Sequence, residues 1–258
     1  VQGEGMRVGS HVARSNKRVT TTYDGGGVVT HETISKGMGL LLQAAFGTGV
    51  STLVSATTYQ QNFTLGTSPA PLTIQKGVVA GDASGTVQPY TFAGCMCRSV
   101  EFTLDNGGLL KAAFDWDARS MVTATAYTAP SYAVGGSLFH FAQGAVVLGG
   151  TVTAPTTTAL ATGGTAVANV RDFSFKLDNG MGDSRYLIGG AGLKGSAAPR
   201  GLRSGTGKLT LELTDTVARD AILADTELAL VLTFTSTEAL STGFATLQIV
   251  LPAVKLDG

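Results

Sequence analysis

The most regular feature of this chain is an alternation of apolar and polar positions, which is typical of half-buried β-strands. It is clearest over residues 99–117, where apolar residues occupy every second position on both sides of Asp105-Asn106-Gly107. Asn-Gly tolerates the positive φ angles of a tight turn, so this segment is predicted to form a β-hairpin. The segment Leu228 to Phe234 is apolar on both faces, which suits a strand covered on both sides. Further strands are predicted near residues 18–23, 71–77, 89–93, 172–178, 208–214, 227–235 and 244–251.

Two short helices are predicted between the strands. Ser35 is expected to be the N-cap of the first helix, which stops at Gly47, and Asp215 the N-cap of the second. Each helix follows a strand and precedes one or two more. The apolar stripes consist of Met38, Leu41, Leu42 and Ala45 in the first helix and of Val217, Ala218, Ala221 and Ile222 in the second.

The chain contains an internal repeat. Residues 99–107 and 172–180 are similar, and both end in Asp-Asn-Gly. The order of elements also recurs, because a basic glycine-bearing loop, a strand, a helix and further strands follow Gly3 and again Gly180. We therefore predict two related half-units joined by an Ala/Thr/Gly/Pro-rich connection with room for a hairpin. The first half-unit is residues 1–125, with its N-terminal strand expected to be missing, the connection is residues 126–168, and the second half-unit is residues 169–258.

Composition argues against several classes of function. The 258 residues carry 18 basic and 18 acidic side chains, so the net charge is zero and lacks the basic excess expected of a tight DNA-binding protein. Neutrality favours self-association, since little repulsion keeps copies apart. No run approaches the roughly 18 apolar residues of a membrane span, and the N-terminus has no secretion-signal pattern. Because the chain starts at Val1, a trimmed or partly ordered product is expected.

Candidate metal ligands are few. Cys95 and Cys97 lie two apart in a predicted strand, so their side chains share a face. They could form half of a metal site, but two free thiols in a reducing compartment are the preferred interpretation. Asp115 and Asp117 flank Trp116, and they are expected to lie at a solvated strand end rather than to bind a cation. No cofactor or metal is therefore predicted.

Two glycine-rich segments resemble nucleotide-binding motifs without fulfilling them. Residues 190–195 match GxGxxG, but no helical stripe follows whose N-terminus could bind a pyrophosphate. Residues 201–208 end in Gly-Lys but lack the spacing of a phosphate-binding loop. The first is predicted to be a flexible loop, and the second match is rejected. No nucleophile–base pair can be assembled from sequence spacing either, so the chain is predicted not to be an enzyme.

Two basic loops are the candidate assembly elements. Docked on an acidic surface of a neighbouring copy, they would let one chain bind the next. If this is right, reversing Arg200 and Arg203 to Glu disturbs assembly. The acidic surface would include Glu212, Asp215, Asp220, Asp225 and Glu227. The basic candidates are Arg7, Arg14, Lys17 and Arg18 in the first loop and Lys194, Arg200 and Arg203 in the second.

In the order of these stretches the chain resembles the major tail tube proteins of siphophages, the long-tailed bacteriophages, and especially the longer type with two tandem tube domains. Each stretch is weak alone, and their order carries the resemblance. They are residues 72–77 leading through 90–95 to 109–112, residues 173–179, residues 207–213 with the following helix and 228–230, and residues 247–252. The resemblance implies two packed antiparallel sheets per tube domain with a short flanking helix. Inner strands of neighbouring subunits would join in a multi-subunit closed barrel.

The resemblance also implies a function. The chain would be a structural subunit of the virion tail, made in the bacterial host cytoplasm, whose stacked rings form the conduit for DNA delivery. Each ring would contain three two-domain chains or six chains. The partners implied are other copies, a tape-measure protein, tail terminator and baseplate proteins, and DNA only in transit. Lumen-facing candidates are Glu101, Thr103 and Asp105.

Three other classes of function remain open. A capsid decoration or baseplate protein would share the neutral, Thr/Ala/Gly-rich composition. A carbohydrate-binding β-sandwich is less favoured, because such modules display several aromatic side chains and this chain has one Trp and 7% aromatic residues. An enzyme whose catalytic residues converge from distant parts of the sequence is the weakest alternative.

Overall fold

The computed structural model describes residues 19–68, 70–81, 85–182, 185–195, 201–214 and 216–257. The fold is mainly β, as predicted, with several antiparallel sheets and two short helices. The strands of the first half of the chain are β1 (Gly25–Glu32), β2 (Gly47–Ser55), β3 (Thr58–Leu65), β4 (Leu72–Val79), β5 (Val87–Leu104), β6 (Lys111–Ala118) and β7 (Ser120–Val122). Those of the second half are β8 (Gly144–Leu148), β9 (Val152–Thr153), β10 (Thr162–Gly163), β11 (Ala166–Val167), β12 (Val170–Asp178), β13 (Ser204–Leu211), β14 (Leu228–Ala239) and β15 (Phe244–Val254). The helices are α1 (Gly39–Phe46) and α2 (Val217–Leu223).

The central sheet has the strand order β1-β6-β5-β12-β13, and every neighbouring pair is antiparallel. The predicted hairpin over residues 99–117 is confirmed as the β5–β6 pair. Its turn contains Gly107 at a φ of 72°, the left-handed conformation that Asn-Gly was expected to supply. The first half of β5 extends beyond the central sheet, where it pairs with β4 and β7. One strand of 18 residues thus unites two segments that were predicted separately.

A second sheet, in the order β11-β8-β14-β15, covers one face of the central sheet. The strand predicted over Leu228 to Phe234 is confirmed as part of β14, and it is covered on both faces, since Leu232 on one face is 1% exposed and Val231 on the other is 5% exposed. The alternation in β5, β6 and β12 places their apolar side chains on the face toward this second sheet, where they exclude water together with α1. This core includes Val100, Phe102, Leu104, Ala112, Phe114, Trp116, Phe173, Leu177, Leu148, Leu230, Leu42 and Ala45.

Helix α1 begins three residues later than predicted. Its N-cap is Met38, and the hydroxyl of Ser35 instead donates to Glu238. The predicted stop is confirmed, because Gly47 ends the helix at a φ of 94°. Thr216 occupies the N-cap position of α2. The proposed cap at Asp215 lies outside the described residues.

The strand predictions for the first 65 residues differ from the structure in two respects. Residues 19–23 form no regular strand, and the strand of this region is β1, which starts at Gly25. The sequence pattern does not predict β1, because the strand starts with three consecutive glycines and glycine has low strand propensity. The hairpin β2–β3 was also missed, since its strands carry polar residues on both faces. Burial of one face is what makes alternation visible, and this hairpin buries little.

The two similar segments of the internal repeat lie side by side. β5 and β12 are antiparallel neighbours, and Phe102 faces its counterpart Phe175. Val100 faces Leu177 and Leu104 faces Phe173, so exchanging the two segments reproduces the same pairing. A local pseudo-twofold axis therefore passes between the two phenylalanines.

Candidate assembly surface

The central sheet has one buried face and one open face. Because side chains alternate along each strand, Glu101 faces Lys176 and Thr103 faces Ser174 on the side opposite the core. These positions are half-buried or exposed, whereas their core-side neighbours are buried. Charged residues on the open face include the carboxylates Glu32, Glu101, Asp115, Asp117, Asp172 and Asp178 and the cations Lys111, Lys176 and Lys208, together with Arg98, which bonds to Asp117. The open face is therefore polar and carries both signs of charge.

Both edges of this sheet are unpaired. Within the described residues, no strand pairs with the outer side of β1 or of β13. β1 is exposed along almost its whole length, and Val28 on it is 65% exposed. Unpaired backbone N–H and C=O groups at such an edge are templates for pairing with another chain. Two open edges on one sheet are what a closed multi-subunit barrel would use.

The three lumen candidates lie together on this surface. Glu101 and Thr103 occupy the open face of β5, and Asp105 follows in the exposed turn to β6. They lie close together because all three are polar positions of one alternating segment. Their direction toward a lumen remains a prediction.

The basic assembly candidates divide into several groups. Arg7, Arg14, Lys17, Arg18 and Arg200 lie outside the described residues. Arg203 is described, and its guanidinium donates to the carbonyl of Gly66 over 2.8 Å. Lys194 is 2% exposed and bonds within the chain, as described next. The role of these side chains in assembly remains a prediction.

Lys194 belongs to a buried charge cluster centred on Asp117. The Lys194 amine donates to Asp117 and to Asp24, and the Arg185 guanidinium donates to the other oxygen of Asp117. Arg98 lies 3.1 Å from the same carboxylate. Asp117 is 2% exposed, so the expectation of a solvated strand end is wrong for this residue. Its burial could not be predicted from the sequence, because Arg185 and Lys194 lie 68 and 77 positions away.

The electrostatics of the cluster follow from this geometry. Burial alone raises the pKa of Asp117, but the hydrogen bonds from Lys194 and Arg185 outweigh it and hold the pKa below its ordinary value. Burial likewise lowers the pKa of Lys194, and the bonds to Asp117 and Asp24 more than reverse this. Both groups therefore stay charged at neutral pH. A buried cluster of this kind fixes geometry, because removal of one member leaves the others uncompensated.

The cluster fastens a loop, residues 185–195, to the sheet. The loop closes on itself where the Gly195 N–H donates to the Arg185 carbonyl over 2.8 Å. The segment before β1 straps it down, since the Tyr23 N–H donates to Gly192 and the Tyr186 hydroxyl donates to the Tyr23 carbonyl. This loop contains the GxGxxG match and forms turns, as predicted. The segment that follows the first basic loop thus lies against the second.

A second ionic contact joins the two halves of the chain. Lys36 lies 2.6 Å from Glu238 of β14, and the Ser35 hydroxyl and the Ser137 N–H donate to the same carboxylate. The bonds from Lys36 and then Ser35 lower the pKa of Glu238 to about 2. The contact connects the loop before α1, the loop that contains Ser137 and the second sheet.

The cysteines are core residues. Cys95 and Cys97 are 1% and 0% exposed and form no disulfide. Burial raises the pKa of Cys97 to about 12, so its thiol stays protonated. Among the described residues, no group of three or more His, Cys, Asp or Glu side chains is placed to hold a metal ion. In the same part of the chain, neither helix has the length and hydropathy that crossing a bilayer requires.

Comparison with known proteins gives one family. The family model described as Phage tail tube protein matches residues 13–257. No curated protein matches the chain. The match covers the open face, both sheet edges, the buried charge cluster and the β2–β3 hairpin.

Proposed function

The chain belongs to the phage tail tube protein family and is thus a structural protein of the virion tail, and from this premise we propose that it is the major tube subunit. Self-assembly into a tube is implied by the family. The proposal adds that this chain forms the wall of the conduit through which DNA is delivered. It acts passively, with neither a catalytic group nor a cofactor.

The central sheet is the single observation that carries this proposal. It has a polar open face, an apolar face sealed by a second sheet, and two edges that no described strand pairs with. A sheet of this form satisfies its edge hydrogen bonds by joining the sheets of other copies around a ring. The apolar layer then lies inside the wall and the polar face lines the lumen.

The charge of the open face suits a conduit. Phosphate groups bind to clustered Lys and Arg side chains, and such contacts would hold DNA in the tube. Cations on the open face lie beside carboxylates, as Lys176 faces Glu101 and Arg98 bonds to Asp117. Their charge is therefore compensated, and DNA is expected to pass without being held.

The arrangement of the half-units supports a ring of three chains with pseudo-sixfold symmetry. Rotation about a tube axis preserves strand direction, and β1 and β13 run in the same direction four strand positions apart. Each precedes a helix and a hairpin, in the order predicted from the sequence. The short similarity between β5 and β12 is a different relation, because those strands are antiparallel. A true hexamer of chains is the competing outcome.

The tube would have several partners within the tail. A tape-measure protein occupies its lumen during assembly, and a tail terminator and baseplate proteins cap its two ends. Assembly takes place in the cytoplasm of the bacterial host. These partners are inferred from the role of a tube subunit.

Electron microscopy of purified protein at increasing concentration tests the proposal. We expect hollow cylinders of constant diameter above a threshold concentration, with three or six copies per ring in cross-section. Globular particles at every concentration would contradict a tube subunit and would favour a decoration or baseplate protein.

Labelling of single cysteines tests which face lines the lumen. In assembled tubes, a cysteine at Thr103 should react with a small maleimide but not with a maleimide on a large polymer. The matched control is Tyr132→Cys, because Tyr132 is 81% exposed and lies outside the strands of the sheet, and it should react with both. Equal reaction of T103C with both reagents would place the open face outside.

A further inference from the structure

Two large aliphatic side chains stand in water at the tip of the strapped loop. Leu187 is 71% exposed and Ile188 is 109% exposed. The tip is a turn in which the Gly190 N–H donates to the Leu187 carbonyl over 3.0 Å. Two adjacent exposed aliphatic side chains on one turn form a protrusion that we name the knob.

The knob stands on a rigid base. Arg185 and Lys194 enter and leave the loop, and both bond to the buried carboxylate of Asp117. The Arg119 guanidinium adds a bond of 3.0 Å to the Lys194 carbonyl. Because the base is fixed, an aliphatic tip loses little conformational entropy when it binds, which favours its use as a contact.

An apolar groove lies at the far end of β13 from the knob. Leu213 at its rim is 88% exposed, and the groove runs between the end of β13 and helix α2. We name this surface the groove. It is lined by Leu148, Val167, Leu211, Leu213, Val217 and Ala218.

The knob and the groove lie at opposite ends of the strands. Ser204, where β13 begins, faces Asp178, where β12 ends, and the knob belongs to the loop that connects these two residues. Leu211, at the far end of β13, faces Val170 and lines the groove. β13 has 8 residues, so the two ends are about 25 Å apart.

We propose that the knob of one copy inserts into the groove of a second copy in the next ring. The inference rests on the proposed function, in which strands of the central sheet run along the wall of the tube. A protrusion at one end and a complementary groove at the other make a heterologous contact. Repetition of such a contact extends a stack without closing it. Edge pairing then builds the ring, and the knob joins ring to ring.

Mixed cross-linking tests this contact directly. Two variants, Ile188→Cys and Leu213→Cys, are assembled separately and as a mixture under mild oxidation. A disulfide-linked dimer should form in the mixture and in neither variant alone. The native Cys95 and Cys97 are 1% and 0% exposed and do not compete. A mixture of I188C with Val134→Cys is the control, and an equal yield of dimer there would overturn the proposal.

The assembly threshold gives a second, independent test. Replacing Ile188 by Ser should raise the concentration needed for tubes about tenfold, because a buried aliphatic contact is lost, and single rings should persist. The control Val134→Ser removes an aliphatic side chain that is 92% exposed and should leave the threshold unchanged. An unchanged threshold for I188S would overturn the knob contact while tubes still form. Failure of the unaltered protein to form tubes would instead overturn the proposed function and the contact with it.

Discussion

The hairpins β14–β15 and β2–β3 occupy equivalent places in the order of elements, since each follows a strand and a helix, yet their surroundings differ. β14 pairs with β8 as well as β15, and Phe234 on it is 1% exposed. β2 and β3 pair only with each other among the described residues. On their surface Leu53 is 51% exposed and Tyr59 is 58% exposed.

The chain thus packs β14–β15 into its own second sheet, whereas among the described residues no further strand extends β2–β3. A two-stranded hairpin by itself is marginally stable in water, so β2–β3 depends on contacts beyond its own pairing. The free edges of β1 and β13 are open in the same sense. Substitutions in the completed part should therefore lower the stability of the monomer, and those in the open part should affect assembly.

The largest effect is expected in the completed hairpin. Phe234→Ala removes a fully buried ring and leaves a cavity between the sheets, so the free energy of unfolding should fall by about 3 to 5 kcal/mol. Urea denaturation of the monomer measures this. A loss below about 1 kcal/mol would show that the second sheet is not packed as described.

The buried charge cluster should be the next most sensitive feature. Asp117→Asn removes the carboxylate between Lys194 and Arg185, and the two uncompensated cations should cost about 3 kcal/mol of stability. Asp115→Asn is the matched control, because Asp115 is only half-buried two residues away. Limited proteolysis should also show cleavage within residues 185–195 for D117N alone. Equal stability of both variants would contradict a structural role for the cluster.

The contact between the two halves should give a smaller, pH-dependent effect. The folded pKa of Glu238 is about 2, below the ordinary value of 4.5, so its stabilisation is present above pH 4.5 and is lost as the pH falls toward 2. Glu238→Gln should remove about 1 kcal/mol at neutral pH, since solvent partly screens Lys36. Thermal unfolding at several pH values tests this. The acid-induced loss should be shallower in E238Q, and an identical slope would contradict the assignment.

The smallest effect on folding is expected in the open hairpin. Tyr59→Ala should change the unfolding free energy of the monomer by less than about 0.5 kcal/mol, because the ring is mostly in water. The same variant should raise the concentration at which tubes form. If Y59A instead destabilised the monomer as much as F234A, the contrast between the two hairpins would be wrong.

The sequence predicted those elements that bury one face. Alternation located β5, β6 and β12, a continuous apolar run located β14, and Gly47 marked the end of α1, because burial and backbone conformation leave local patterns in the sequence. The glycine-rich β1 and the polar β2–β3 left no such trace. Contacts between residues that are distant in sequence leave no local pattern. The burial of Asp117 and the bond from Ser35 to Glu238 therefore could not be predicted.

The candidate surface was predictable only in part. Glu101 and Thr103 were found because polar positions of an amphipathic strand form one face. The free edges could not be found, because an edge is defined by the strand that is absent from its side. The knob could not be predicted, because glycines and basic residues dominate the sequence of its segment. Leu187 and Ile188 are adjacent aliphatic residues there, and only the structure shows that both are exposed.

Hydrogen exchange at individual backbone amides, compared between soluble subunits and assembled tubes, tests the central claim most directly. The account predicts that the outward-facing amides of β1 and β13, on the side without a neighbouring strand among the described residues, exchange rapidly in the subunit and become strongly protected in the tube, while the amides of β5 and β6 are protected in both. Protection of β1 and β13 that is the same in both states would contradict completion of the central sheet by other copies.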